Sequence, residues 1–157
     1  MRIQDLRAPQ ARTAYREEPL ADAARLMCEE HVGALVVVDR NDSRQHPIGM
    51  LTDRDVVRGQ LRCRADLYCL TVGDVMSLDP LVLPLHLELT EAIEALNVRG
   101  VRRAPLIDAS GALVGIITLD DLLPAVAQEL GTLAALMGSQ AHSEHGRSSH
   151  RFGASTP

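Results

Sequence analysis

Apolar residues recur along this chain in two rhythms, and each rhythm appears twice. Leu20, Ala23, Ala24 and Met27 fall at helical intervals, and so do Leu89, Ala92, Ile93 and Leu96. That spacing places them on one face, which predicts two amphipathic helices with that face buried. Leu35-Val36-Val37-Val38 runs into Asp39, and Ala104-Pro105-Leu106-Ile107 runs into Asp108. Short apolar runs closed by a polar turn predict buried strands. Residues 48–51 and 113–117 are the next strands, ending at Thr52 and Thr118, where helices begin. With short strands near Thr13-Ala14-Tyr15 and Leu81-Val82-Leu83, each half reads strand, helix, strand, strand, helix.

The two halves keep a register. Moving Thr52 and Asp55 forward by 66 positions gives Thr118 and Asp121. Upstream the offset is 69, so that Asp5 falls on Asp74, Leu20 on Leu89, Ala23 on Ala92, Val32 on Val101 and Asp39 on Asp108. The difference is taken up in the connection after the acidic residue, 40–47 in one half and 109–112 in the other. Length variation confined to a polar turn is what two copies of one fold should show.

Both copies carry Thr-x-x-Asp where a strand meets a helix. Thr followed three residues later by an acidic group is a capping-box signature, so Thr52/Asp55 and Thr118/Asp121 can be helix caps. The same place can also bind a ligand. A helix start aims backbone N–H groups and a positive dipole end at one point, suited to phosphate. A nearby carboxylate can accept from both hydroxyls of a ribose. Asp is shorter than Glu, closes a capping box less well, and would be freer for a ligand.

These units resemble the cystathionine-β-synthase (CBS) domain, and two in tandem resemble a Bateman module. The resemblance is carried by Asp74-Val75-Met76-Ser77, by residues 89–96, by Val101-Arg102-Arg103-Ala104-Pro105-Leu106-Ile107-Asp108 and by Gly115-Ile116-Ile117-Thr118-Leu119-Asp120-Asp121. In the first copy it is carried by residues 31–39 and by Gly49-Met50-Leu51-Thr52-Asp53-Arg54-Asp55. It implies an α+β fold of two βαββα repeats related by a pseudo-twofold axis, with sheets packed together and helices outside. It implies an adenine nucleotide (AMP, ADP or ATP) as a regulatory ligand, with no cofactor required. Thr52 or Thr118 would lie near phosphate and Asp55 or Asp121 on ribose. Backbone near Ala34 and Leu35, or Ala104 and Pro105, would receive the base. A homodimer is a further implication.

Arginine supply separates the two motifs. Arg54 lies inside the first, and Arg102 and Arg103 precede a strand of the second half. Planar, permanently charged guanidinium suits polyphosphate, although these arginines can equally be solvated or paired with nearby carboxylates. The residue matching Arg54 is Asp120. An acidic group there should repel phosphate, so Thr118/Asp121 would take a less charged ligand or depend on Arg103.

Composition narrows the remaining classes. Hydrophobic residues are 46% and aromatics 2% of the 157, so the core must be aliphatic. Few aromatics disfavour base-stacking nucleic-acid modules, and a net charge of −5 disfavours polyanion binding. Every basic residue is Arg, which excludes a P-loop or Schiff-base lysine. Cys28, Cys63 and Cys69 form no CxxC pair and read as reduced thiols, with Cys28 expected in the core. No apolar run approaches a membrane span and no signal-peptide core is seen, so a cytoplasmic location is expected. No nucleophile and base can be placed together, so no enzyme activity is expected.

The predicted organisation is repeat 1 over 1–62, a linker over 63–72, repeat 2 over 73–127, a terminal helix over 128–138 and a disordered tail over 139–157. Leu130, Leu133, Ala134 and Met137 form one face of that helix, for the core or for a second subunit. The reading is a stand-alone ligand sensor acting in trans on an unknown regulated protein, with no nucleic acid or membrane partner. The alternatives are a ligand-free scaffold that keeps the Thr-Asp pairs as caps, and a metal- or redox-responsive module using the cysteines and His142, His145 and His150.

Overall fold

The two rhythms become helices and strands where the spacing places them. The computed structural model describes residues 1–6, 8–64 and 66–148, with side chains described as far as 137. Repeat 1 is β1 (Thr13–Tyr15), α1 (Leu20–Glu29), β2 (Ala34–Val38), β3 (Pro47–Thr52) and α2 (Asp53–Cys63). A short helix α3 (Val72–Val75) and β4 (Ser77–Leu78) follow. Repeat 2 is β5 (Leu83–Pro84), α4 (Leu89–Arg99), β6 (Arg103–Ile107), β7 (Leu113–Thr118) and α5 (Leu119–Ser148). The starts of α1 and α4, and of β2 and β6, are 69 residues apart; those of β3 and β7, and of α2 and α5, are 66 apart.

By contact the chain divides after Leu119. Within Met1–Leu119 lie two sheets, ordered β1-β2-β3-β4 and β5-β6-β7. In each, the first pair is parallel and the second antiparallel. The β2/β3 and β6/β7 pairs shift register at the same place, between Val37 and Val38 and between Leu106 and Ile107.

Strand β2 shows why its sequence is apolar throughout. Successive side chains point to opposite faces of a sheet. Leu35 and Val37 join the core formed with Leu20, Ala23 and Met27 of α1 and Val56 of α2. Val36 and Val38 point the other way, where Leu113 and Ile116 of the second sheet pack against them. The sheets therefore face each other, and α1 and α2 cover the outer face of the first. A strand buried on both faces has no place for a polar residue.

The pseudo-symmetry extends to backbone hydrogen bonds between the repeats. The N–H groups of Ile3 and Gln4 donate to the carbonyls of Leu87 and Leu85, at 2.9 and 3.0 Å. Those of Val72 and Gly73 donate to the carbonyls of Glu18 and Arg16, both at 2.9 Å. In return, Leu89 N–H donates to Met1 and Leu20 N–H to Leu70, at 2.9 and 2.8 Å. The opening amides of α1 and α4, which have no partner within their own helices, are thus satisfied by the turn that leads the other repeat.

Three expectations change. Cys28 is exposed, as are Cys63 and Cys69. The buried stripe of α1 is Leu20, Ala21, Ala23 and Met27, and Cys28 is rotated by one residue from Met27, off that stripe. The terminal helix is not a separate element over 128–138. Helix α5 runs unbroken from Leu119 to Ser148, with Pro124 inside it. No proline follows Pro124 before Ser148 to stop it, and Gly131, Gly138 and Gly146, spaced about two turns apart, cost only about 1 kcal/mol each. Backbone over 139–148 is therefore helical where a disordered tail was expected, while 149–157 lies outside the described residues, as do the side chains of His142, His145 and His150. Leu130, Leu133 and Met137 are exposed. Among the described residues no helix is long and apolar enough to cross a membrane.

Candidate functional site

Thr52 is where β3 becomes α2. Its backbone is extended (φ −114°, ψ 160°), which points its own N–H and hydroxyl back at the first turn of the helix. Its N–H donates to Asp55 Oδ2 at 2.9 Å, its hydroxyl donates to the same oxygen at 2.7 Å, and Asp55 N–H donates to the hydroxyl at 3.2 Å. The capping box is therefore closed. The expectation that an aspartate would close it poorly is corrected: the extended Thr52 backbone brings its N–H within reach of the shorter side chain. Asp55 keeps one oxygen, Oδ1, without a hydrogen bond among the described residues.

The other first-turn amides are also engaged. Asp53 N–H donates to the Gly33 carbonyl at 3.3 Å, and Arg54 N–H to Asp53 Oδ1 at 2.7 Å. The helix start thus offers no free N–H in its first turn, and an anion there must be held by side chains.

A control lies within the same chain. Thr71 and Asp74 form a similar box at α3, with Thr71 N–H and hydroxyl each 2.8 Å from Asp74 Oδ2, while Asp74 N–H donates to the Thr71 carbonyl at 3.2 Å. These bonds, the backbone one first, hold the Asp74 carboxyl below its ordinary pKa. Asp74 is exposed on a four-residue helix. The box alone therefore does not mark a ligand site. What sets Thr52/Asp55 apart is the surface around them.

That surface is a cleft of about 440 Å³, within the roughly 300–1,000 Å³ of small-molecule sites. One wall is Met50, Thr52, Asp53, Arg54, Asp55 and Arg58. The other comes from repeat 2 and the segment leading to it: Ser77, Asp79, Pro80 and Leu81, then Arg99, Gly100, Val101, Arg102 and Arg103. Five arginines thus face three carboxylates. Arg99 Nη2 reaches Asp79 Oδ2 at 3.1 Å and the Asp79 carbonyl at 3.3 Å. This holds Asp79 in the left-handed region, φ 51°, where a residue other than glycine is strained. The guanidinium groups of Arg54, Arg58 and Arg103 have no hydrogen-bond or ion-pair partner among the described residues. Arg103 Nη1 and Asp53 Oδ2 both pass Gly33, each 3.5 Å from where a Cβ on that glycine would be.

Of the residues singled out from sequence, the cleft brings together Thr52, Arg54, Asp55 and Arg103. It does not include Ala34, Leu35, Ala104 or Pro105, which are buried in β2 and β6 behind it. Ala34 pairs directly with Thr52 across the sheet, and Leu35 with Leu51. The apolar lining is instead Met50, Pro80, Leu81 and Val101. Arg58 and Arg99 were missed. Arg58 lies four residues after Arg54, one helical turn along the same face, a spacing that could have exposed it. Thr118 ends β7 and Asp121 lies in the first turn of α5, on either side of the division after Leu119. A second concavity of about 370 Å³ is lined by Gln10, Ala11, Arg12, Thr13, Leu26, Gln45 and residues 113–115, and Thr118 does not line it. No cluster of three or more potential metal ligands occurs among the described residues.

Comparison with known proteins adds a family. The model of the CBS domain matches residues 3–62 and 72–128. An uncharacterised protein of Methanopyrus kandleri, MK0525, is 31% identical over 68% of this chain, and the chain spans about half of it, 53%. Among solved structures, the CBS domain protein PAE2072 of Pyrobaculum aerophilum, complexed with AMP, superposes with a TM-score of 0.73. It is 21% identical and covers 84% of this chain and 99% of its own. CBSX2 in complex with AMP gives a TM-score of 0.67 at 28% identity, covering 81% and 96%.

Proposed function

This chain belongs to the CBS-domain family as a tandem pair, and from that premise we propose that it is a regulatory module binding an adenine nucleotide in the cleft beside Thr52 and Asp55. The observation that carries the reading is that cleft. One carboxylate oxygen, Asp55 Oδ1, and three guanidinium groups, all without partners among the described residues, line the same small space as an apolar wall. A ribose diol on Asp55, phosphate on the arginines and a base against Pro80, Leu81 and Val101 would use every part of it. The AMP bound by CBSX2 supports the ligand class.

Both repeats line the cleft, so a ligand there touches two halves at once. Binding favours whichever arrangement of the halves it fits, by as much as its affinity differs between them. A regulated protein acting in trans reads that difference, and a homodimer joined through the exposed face of Leu130, Leu133 and Met137 is the proposed unit. Thermal unfolding with AMP, ADP or ATP tests the ligand. A ligand at 100 times its Kd should add about 2.7 kcal/mol of stability. Asp55→Asn keeps an oxygen for the cap but removes the charge, so it should abolish most of the shift while leaving the unliganded melting point nearly unchanged.

The second reading, a ligand-free scaffold, is favoured by the Thr71/Asp74 box, in which the same two Thr-to-Asp bonds serve an exposed four-residue helix. Flat melting curves with all three nucleotides would select it.

A further inference from the structure

The phosphate end of the cleft contains more than one phosphate needs. The first three amides of α2 are already bonded, to Gly33, Asp53 and Thr52. Anion binding therefore falls to guanidinium side chains. Arg54 and Arg58 are exposed on one face of α2, separated along its axis by about 6 Å at 1.5 Å per residue. That distance is longer than a single phosphate group and suits successive groups of a chain. Arg103 enters from β6 on the opposite wall. Each guanidinium can take two oxygens in a fork, and none of the three has a partner among the described residues. A monophosphate placed beside Asp55 can occupy one or two of these forks and leaves the rest unused beside Asp53 and Asp55.

We infer that this cleft selects a nucleoside polyphosphate over the monophosphate, with Arg54, Arg58 and Arg103 as the residues that count phosphates. The inference rests on the nucleotide reading above and sharpens it to a ligand class.

Isothermal titration of the full chain with AMP, ADP, ATP and inorganic tripolyphosphate tests it. The expected order is ATP over ADP over AMP, with about tenfold or more between the extremes and a steeper loss with salt for ATP. Arg54→Gln and Arg58→Gln should each weaken ATP more than AMP and so shrink the ATP-to-AMP ratio severalfold. Arg58→Lys, which keeps the charge and loses the fork, should fall between. Both positions are exposed, and unchanged far-UV circular dichroism confirms that the variants fold. AMP binding within about twofold of ATP would overturn the inference and leave the nucleotide reading standing. So would a ratio untouched by either glutamine variant. If tripolyphosphate binds, the nucleotides bind no better, and Arg58→Gln weakens it, the phosphate grip survives and the nucleotide reading falls. Silence from all four ligands overturns both.

Discussion

The two Thr-x-x-Asp motifs differ in their surroundings far more than in themselves. Thr52 and Thr118 each end a strand and precede an aspartate three residues on. By the repeat offsets, however, Arg54 corresponds to Asp120, Arg58 to Pro124, Arg99 to Glu30, Arg102 to Gly33 and Arg103 to Ala34. Every arginine of the first cleft is replaced by an acidic or uncharged residue in the matching set. The two copies share the Thr-x-x-Asp pair and differ in charge at the matching positions. Under the proposed function, selectivity would reside in the neighbours of the motif, with Asp55 supplying the carboxylate common to both copies.

The largest test converts one set toward the other. Arg54→Asp with Arg99→Glu gives the first cleft the residues of the second set at two positions. ATP affinity should fall about a hundredfold, or roughly 2.7 kcal/mol, measured by titration; a loss under about threefold would mean that charge does not separate the two sets. A comparable effect on stability is expected at Gly59, which corresponds to Ala125. A Cβ on Gly59 would overlap Val75 Cγ1, so α3 packs on α2 only because that atom is missing. Gly59→Ala should cost about 2 kcal/mol in urea unfolding despite its better helix propensity. Adding Val75→Ala should recover most of it.

A smaller effect comes from the ends of α1 and α4. Gly100 follows α4 at φ 64°, and His31, its counterpart, takes φ 53°. Glycine adopts this left-handed region freely and histidine does not. His31→Gly should gain about 0.5–1 kcal/mol and Gly100→His should lose about as much, both read from urea midpoints.

The smallest effect tests the unequal loops. In the longer one, His46 Nδ1 lies 2.6 Å from Asp42 Oδ2 and Nε2 lies 3.1 Å from the Ser110 carbonyl of the other repeat. Both partners are acceptors, so only the protonated ring can donate to both. The Asp42 carboxylate first, then the Ser110 carbonyl, raise the His46 pKa. Stability from this contact is then fully present below the ordinary histidine pKa of about 6.5 and is lost as pH rises through the higher folded value. Wild type should lose slightly more stability than His46→Gln between about pH 6 and pH 8. Equal losses would show that the contact contributes nothing.

Much of the fold was legible because burial is periodic. The stripe of α1, the doubly buried β2 and both repeat offsets follow from which residues are apolar. The α+β pair of repeats follows from reading them together. The cleft was legible at Thr52, Arg54 and Asp55 in the motif and at Arg103 at the start of β6. Arg99 enters from the far end of α4 and Pro80 from the segment after β4, and no local pattern ties either to α2. Ala34, Leu35, Ala104 and Pro105, expected near the base, do not line the cleft, because they are buried within β2 and β6. Cys28 was misplaced by a single step around a helix, about 100°, which is enough to move a residue from core to solvent.

The exchanged leading turns have a mechanical consequence. Residues 1–4 complete the start of α4, and residues 70–73 complete the start of α1. Neither half is finished by its own chain segment, so removing the first few residues damages the far repeat before the near one. Unfolding of Met1–Leu119 should then proceed as one event, and a strain applied to one half has a direct backbone route into the other.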